Sequence, residues 1–484
     1  MKRHDLVIVG GGTAGLVSGM IAGWAGARVA LIEADRTGGD CLWTGCVPSK
    51  SLIAAADLAQ RIREGRELGV MAGEPEVDFS RVMGHVHAAR KKIEPHDSPE
   101  RLREAGVEVI QGRATYTGPG RIEVGGSELR WRTSIIATGS RPALPPVAGL
   151  EESDPLTSDT VWDLEGLPAS LLVLGAGPIG CELGQAFSRL GSRVTIVEMG
   201  DHLLPREDPD VGQLLAGQFR REGIDIWLNT TAKSIDTAAD GSVTLDAVSP
   251  QGRLDLSFDR VLSAAGRRPS SSGIGLEMIG VETGPGGEVM TDERLRAGVP
   301  GVFAAGDVTG AMPFTHVAAY HAQIATLNAL FRLRRKVDYG SIPNVTFTDP
   351  EVAGVGLSEA QARTKWGSKA KIARHDYADL DRALTAGRTA GFAKLIGDGR
   401  GRLVGATIVG QSAGESIGEM ALRISKGQSI DSISSDVHAY PTFAEGAARA
   451  ADDYRRERFE GPGLTRLSKP FLRLLRTLDR SGQR

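Results

Sequence analysis

A chain of 484 residues, 41% apolar and 24% charged, reads as roughly two to four globular domains and excludes wholesale disorder. Its net charge of −3 gives no global pull toward nucleic acid or anionic membranes. Three cysteines in such a length exclude a secreted disulfide framework.

At the start, Lys2 and Arg3 lead into only four apolar residues, Leu6 to Val9, before Gly10-Gly11-Gly12. That pattern is not a signal peptide, and no apolar run reaches bilayer length, so the chain reads as cytoplasmic. Leu6 to Val9 predicts a strand running into Gly10-x-Gly12-x-x-Gly15, and Glu33 closes a second strand, Arg28 to Ile32. Next come Cys41 and Cys46, five positions apart in a glycine-rich turn, with Lys50 one helical turn on and a helix expected from near Pro48. The spacing lets the two sulfurs meet, and a thiolate at a helix N-terminus near a lysine has a lowered pKa. That suits a redox dithiol; the plainer alternative is two unrelated buried cysteines. Trp43, between them, is either a platform for a planar acceptor or packing beside the turn.

Further along, Leu171 to Leu174 leads into Gly175-x-Gly177-x-x-Gly180, and Glu198 closes the strand Arg193 to Val197. Every element of this second copy lies 165 residues after its counterpart in the first. Each copy has the mechanics of a dinucleotide fold: glycines for close approach to a pyrophosphate at a helix N-terminus, and an acid for a ribose 2′-hydroxyl. Two such sites imply two cofactors. Cys181, inside the second motif, reads as a small buried apolar residue. Residues 455–484 turn basic, nine Arg and Lys against Glu457, Glu460 and Asp479. With Pro470 in the first turn of a short helix, Phe471, Leu474, Leu475 and Leu478 would share one face and Arg473, Arg476 and Arg480 the other. Such a helix either packs its apolar face on the enzyme or lies on an anionic membrane or a partner.

Taken in order, these motifs resemble the pyridine nucleotide–disulfide oxidoreductases of the dihydrolipoamide dehydrogenase, glutathione reductase and mercuric reductase group, over about residues 5 to 452. The resemblance implies an α/β fold with two Rossmann-like dinucleotide-binding domains, for FAD and NAD(P), plus a C-terminal α+β dimerisation domain. The expected divisions are 1–150 (FAD, with the dithiol), 151–270 (NAD(P)), 271–340 (central, returning to FAD), 341–452 (dimerisation) and 453–484 (tail). FAD would be held by Gly10, Gly12, Gly15, Glu33, Lys50, Ala114 (with Gly112), Thr138, Gly139 and Asp307. Of these, Thr138-Gly139 looks like the exit from the FAD domain, and Asp307 like the residue that bonds the ribityl chain. NAD(P)H would be held by Gly175, Gly177, Gly180, Glu198 and Gly266. No resident metal is expected.

By the same resemblance Cys46 lies nearest the flavin, Cys41 meets the substrate, and Lys50 pairs with Glu182 beside the ring, where positive charge favours reduced flavin. Electrons would pass from NADH to FAD, then to the Cys41–Cys46 disulfide. Glu198 favours NADH, with NADPH the alternative, because a carboxylate accepts from a free 2′-hydroxyl and repels a phosphate.

The chain departs from the family at its base. Relatives place a histidine just before Pro-Thr, with a glutamate five residues on, and it reaches the partner subunit's active site. Here Tyr440 holds that position, with Glu445 in register and His438 off it. A tyrosine titrates near 10, so it hardly removes a thiol proton at neutral pH. Mercuric reductases also carry a tyrosine in this region, yet no cysteine follows Cys181 in this sequence, and no added N-terminal domain is expected. The expected enzyme is therefore a mercuric reductase-like homodimer whose acceptor is a quinone, a metal ion or another small electrophile. The alternatives are dihydrolipoamide dehydrogenase and a non-catalytic flavin-binding scaffold.

Overall fold

The computed structural model describes residues 3–459 and 462–481, of which 458, 459, 462–467, 480 and 481 are described by backbone alone. The chain forms two compact units, one of residues 1–205 and 219–338, the other of residues 206–218 and 339–484.

In the first unit the strand Arg3–Val9 lies between Val29–Glu33 and Ser127–Ile136, parallel to both, with Val9 level with Ile32 and Ile136. Val107–Gln111 extends this sheet beyond Val29–Glu33, and Val302–Ala304 joins it in parallel at Ser127–Ile136. Leu6, Val7 and Ile8 are wholly buried, as an unbroken apolar run requires when both faces of a parallel sheet are covered. A second, four-stranded parallel sheet takes the order Asp225–Trp227, Arg193–Val197, Ser170–Leu174, Arg260–Ser263. An antiparallel meander, Thr231–Thr237, Val243–Ser249 and Gly252–Phe258, accompanies it. Short strands at the two expected domain exits, Ser140–Pro142 and Arg267–Pro269, pair antiparallel with one another.

The third glycine of each motif shows why no other residue serves. A Cβ on Gly15 would sit 1.9 Å from the Gly10 carbonyl oxygen, and one on Gly180 2.0 Å from that of Gly175. Both helices can leave their strands this tightly only without a side chain.

The helix after the cysteines starts at Cys46, near Pro48 as expected, and runs to Glu64; Pro48 sits in its first turn, where its missing N–H costs no intrahelical bond. Two expectations need correction. Cys41 lies in a short helix of its own, Gly39–Trp43. In the tail, one helix spans Pro462–Ser481 with Pro470 inside it; the first-turn role falls to Pro462.

The second unit is built on a five-stranded antiparallel sheet, ordered Pro343–Thr346, Glu351–Gly356, Leu403–Gly410, Phe392–Gly397, Lys371–Asp376. The helices Ala413–Ser425 and Glu445–Phe459 pack on it around Tyr377, Leu395, Ile408, Met420 and Ala447. This is the α+β layer expected at the C-terminal end.

Candidate active site

The two glycine turns are built alike to the level of single hydrogen bonds. Glu33 accepts from the backbone N–H of Gly11 at 2.5 Å and of Asp35 at 2.7 Å. Glu198 accepts from Ala176 at 2.7 Å and Gly200 at 2.8 Å, each partner again 165 residues on. Gly12 and Gly177 open the helices Thr13–Trp24 and Pro178–Leu190 with no side-chain cap, leaving first-turn N–H groups for an anion.

Around the first turn, Ala114 is buried at the start of the strand Ala114–Gly118, Gly139 takes φ +68°, and the Thr138 hydroxyl is buried with no protein partner. Ser140 donates to Asp307 at 2.7 Å, while Arg267 donates through Nε to the Ser140 hydroxyl at 2.7 Å. The same guanidinium pairs with Asp40, one residue before Cys41, and Gly266 beside it takes φ +130°. Burial pushes the Asp40 carboxyl up to about 6, against the pull of Arg267. Sequence reasoning missed both Asp40 and Arg267; each is the immediate neighbour of a candidate residue, Cys41 and Gly266, but nothing local says that they meet.

The dithiol sits between these parts. Cys41 and Cys46 are free thiols, the reduced state of the pair. The Cys46 sulfur lies 3.2 Å from the hydroxyl of Thr315, first residue of the helix Thr315–Phe331. Cys46 is held down at about 6, first by the hydrogen bond from the Cys41 thiol, then by Thr315 and the Lys50 ammonium, against burial. Cys41 is driven strongly the other way by that same bond and by burial. One proton therefore serves both sulfurs: Cys41 keeps it and Cys46 is the thiolate. Thr315 had no sequence signal.

Lys50, one turn along the helix from Cys46, donates to Glu182 at 2.7 Å, and Glu182 is buried. Seven residues on in both helices, Arg189 donates to Asp57 at 2.5 Å, so the two helices are joined by two ion pairs of opposite polarity. Arg189 is buried and also clasps Glu222 at 2.7 and 2.8 Å. Replacing Arg189 by Met removes the guanidinium that Glu222 and Asp57 share. The expected loss is about 3–5 kcal/mol of unfolding free energy, read by urea titration of the purified protein. A loss below about 1 kcal/mol would show that the network carries no weight.

Trp43 donates to the Thr37 carbonyl at 2.7 Å and has the Arg36 guanidinium 4.0 Å above its ring. It packs beside the glycine turn rather than standing as a bare platform. Cys181 is wholly buried, and its sulfur faces the Ala176 carbonyl at 3.3 Å.

In the second unit the Tyr440 hydroxyl, exposed, donates to Asp381 at 3.0 Å, and that bond raises its pKa above the usual phenol value. His438 is held at 3.2 Å by Glu419. Glu445 pairs with Arg449 at 2.6 Å through one oxygen, while the other is buried without a partner. Among the described residues no group of three or more His, Cys, Asp or Glu is arranged to hold a metal ion. None of the described helices is long and apolar enough to cross a membrane.

Comparison with known proteins matches residues 4–322 to the family described as pyridine nucleotide-disulphide oxidoreductase, and residues 342–451 to its dimerisation domain. A mercuric reductase of Streptomyces lividans is 35% identical over 458 residues, covering 93% of this chain and 96% of that protein. A dihydrolipoyl dehydrogenase of Thermus scotoductus is 34% identical over 461 residues, covering 93% and 97%. Among solved structures, the Cu(II) complex of the HOCl-induced flavoprotein disulfide reductase RclA from Escherichia coli superposes with a TM-score of 0.83 at 27% identity, covering 93% of this chain and 99% of that one.

Proposed function

This chain belongs to the pyridine nucleotide-disulphide oxidoreductases, FAD-dependent enzymes with NAD(P)H as electron donor, and we propose that it delivers electrons to an acceptor that needs no general base. The C-terminal domain is the family's dimerisation domain, which supports a homodimer. When bound, FAD supplies the two-electron relay between nicotinamide and dithiol.

The residues present fit that cofactor. The buried, unpartnered Thr138 hydroxyl and the uncapped helix at Gly12 are groups that a ligand would answer. In this reading Gly10, Gly12, Gly15, Glu33, Ala114, Thr138, Gly139 and Asp307 hold FAD. Gly175, Gly177, Gly180, Glu198 and Gly266 hold the nicotinamide nucleotide, and Glu198 favours NADH. Lys50, fixed by Glu182, sets positive charge beside the ring, and Cys46 waits as the thiolate with Cys41 facing the acceptor.

The observation that carries the reading is Tyr440. Where a dithiol oxidase needs a base near neutral pH, this chain has a phenol already donating its proton to Asp381 and raised further from titration. Acceptors that arrive without a proton to lose remain: a thiophilic metal ion as substrate, a quinone or another electrophile. Relatives named mercuric reductase and a neighbour solved with Cu(II) favour the metal ion among them.

Anaerobic titration of the purified yellow protein with NADH, and separately with NADPH, tests the first half. A long-wavelength charge-transfer band on reduction is the expected result, and its absence would mean an idle dithiol. A panel of lipoamide, glutathione disulfide, Hg²⁺, Cu²⁺ and quinones tests the second. Robust turnover of lipoamide would overturn the reading in favour of dihydrolipoamide dehydrogenase.

A further inference from the structure

Both family matches end by residue 451, and the helix Pro462–Ser481 lies beyond them. At 100° per residue, Phe471, Leu474, Leu475 and Leu478 fall within about 100° of arc, and Lys469, Arg473 and Arg476 within about 60° on the opposite side. The apolar arc is in the open: Phe471 is 60%, Leu474 56% and Leu475 39% exposed. Of the two alternatives for this face, the exposed one is what the structure shows for these three residues.

Charge identifies what would cover it. Residues 455–484 hold nine cations against three anions, a surplus of six in a chain of net charge −3, so the residues before them carry −9. The polar side of the helix is almost entirely of one sign, with Asp479 its one acid between Ser468 and Asp479. A helix built to pair with another helix flanks its seam with charges of both signs, which this one lacks. Apolar side chains opposite a cationic arc match an anionic lipid surface, where the former enter the acyl boundary and the latter meet the headgroups.

We infer that the C-terminal helix seats this enzyme on anionic membrane surfaces, lying in the plane of the interface. The inference is independent of the acceptor. It is tested by flotation of the full-length flavoprotein with phosphatidylcholine vesicles, with and without one third phosphatidylglycerol. The protein floats with the anionic vesicles alone and is released by salt. Arg473→Gln with Arg476→Gln lowers vesicle affinity about thirtyfold. Phe471→Ser with Leu474→Gln abolishes flotation, while both double variants keep an NADH-reducible flavin, which shows them folded. Failure to float, or equal flotation of the apolar double variant, would overturn the inference. So would a wild-type assembly in lipid-free buffer larger than that of the apolar double variant, since a second copy would then cover the face.

Discussion

Replacing Tyr440 by His raises the rate of NAD-linked dihydrolipoamide oxidation by this protein about 10²- to 10⁴-fold, the usual scale of general-base catalysis. An imidazole titrates near 6.5, so at pH 7.5 it is mostly the free base, whereas the phenol it replaces holds its proton. The second unit already contains an orienting group for it. One Glu445 oxygen is committed to Arg449, and the other is buried without a partner. Glu445 is also close enough to Tyr440 to raise its pKa. A ring N–H at position 440 would answer that oxygen and fix the tautomer, which the phenol, turned to Asp381, does not do. Steady-state assays of the wild type and Tyr440→His with dihydrolipoamide decide the matter. If both are equally slow, the missing base is not what closes this enzyme to thiols. If both are equally fast, the proposed acceptor class is wrong.

Removing Cys41 moves the titration of Cys46 by more than any other single change near the dithiol. The Cys41 thiol bond is the first cause of the lowered Cys46 pKa, ahead of Thr315 and Lys50, and burial opposes all three. With the bond present, Cys46 titrates at about 6, so the anion is lost only as pH falls below that value. In Cys41→Ala the midpoint rises toward the free-thiol value near 8.5, and the thiolate fraction at pH 7 drops about thirtyfold. The rate of iodoacetamide alkylation of the reduced protein against pH reads this directly. A midpoint unmoved at about 6 would assign the thiolate to Lys50 and Thr315 instead.

Much of this was legible along the chain because it consists of local backbone patterns. An apolar run followed by three glycines spells a buried strand entering a tight helix turn. The recurrence at 165 residues repeats down to the carboxylate bonds of Glu33 and Glu198. The family resemblance supplied the pairing of Lys50 with Glu182, 132 residues apart, which no local pattern contains. Pro48 does mark the first turn of its helix, whereas Pro470 lies inside one. A proline is tolerated across the first turn, and Pro462 took that place in the tail.

Sequence alone marked the strands that enter the two glycine turns, the turns themselves and the closely spaced cysteine pair. Each is a property of residues within a few positions of one another. Only the tertiary structure decided which groups share protons. It set Thr315 against Cys46 across 269 residues, Arg267 against Asp40 across 227, and Asp381 against Tyr440 across 59. A side chain's protonation depends on what meets it in space and how much water remains around it. Neither quantity is written in the neighbouring letters of the chain.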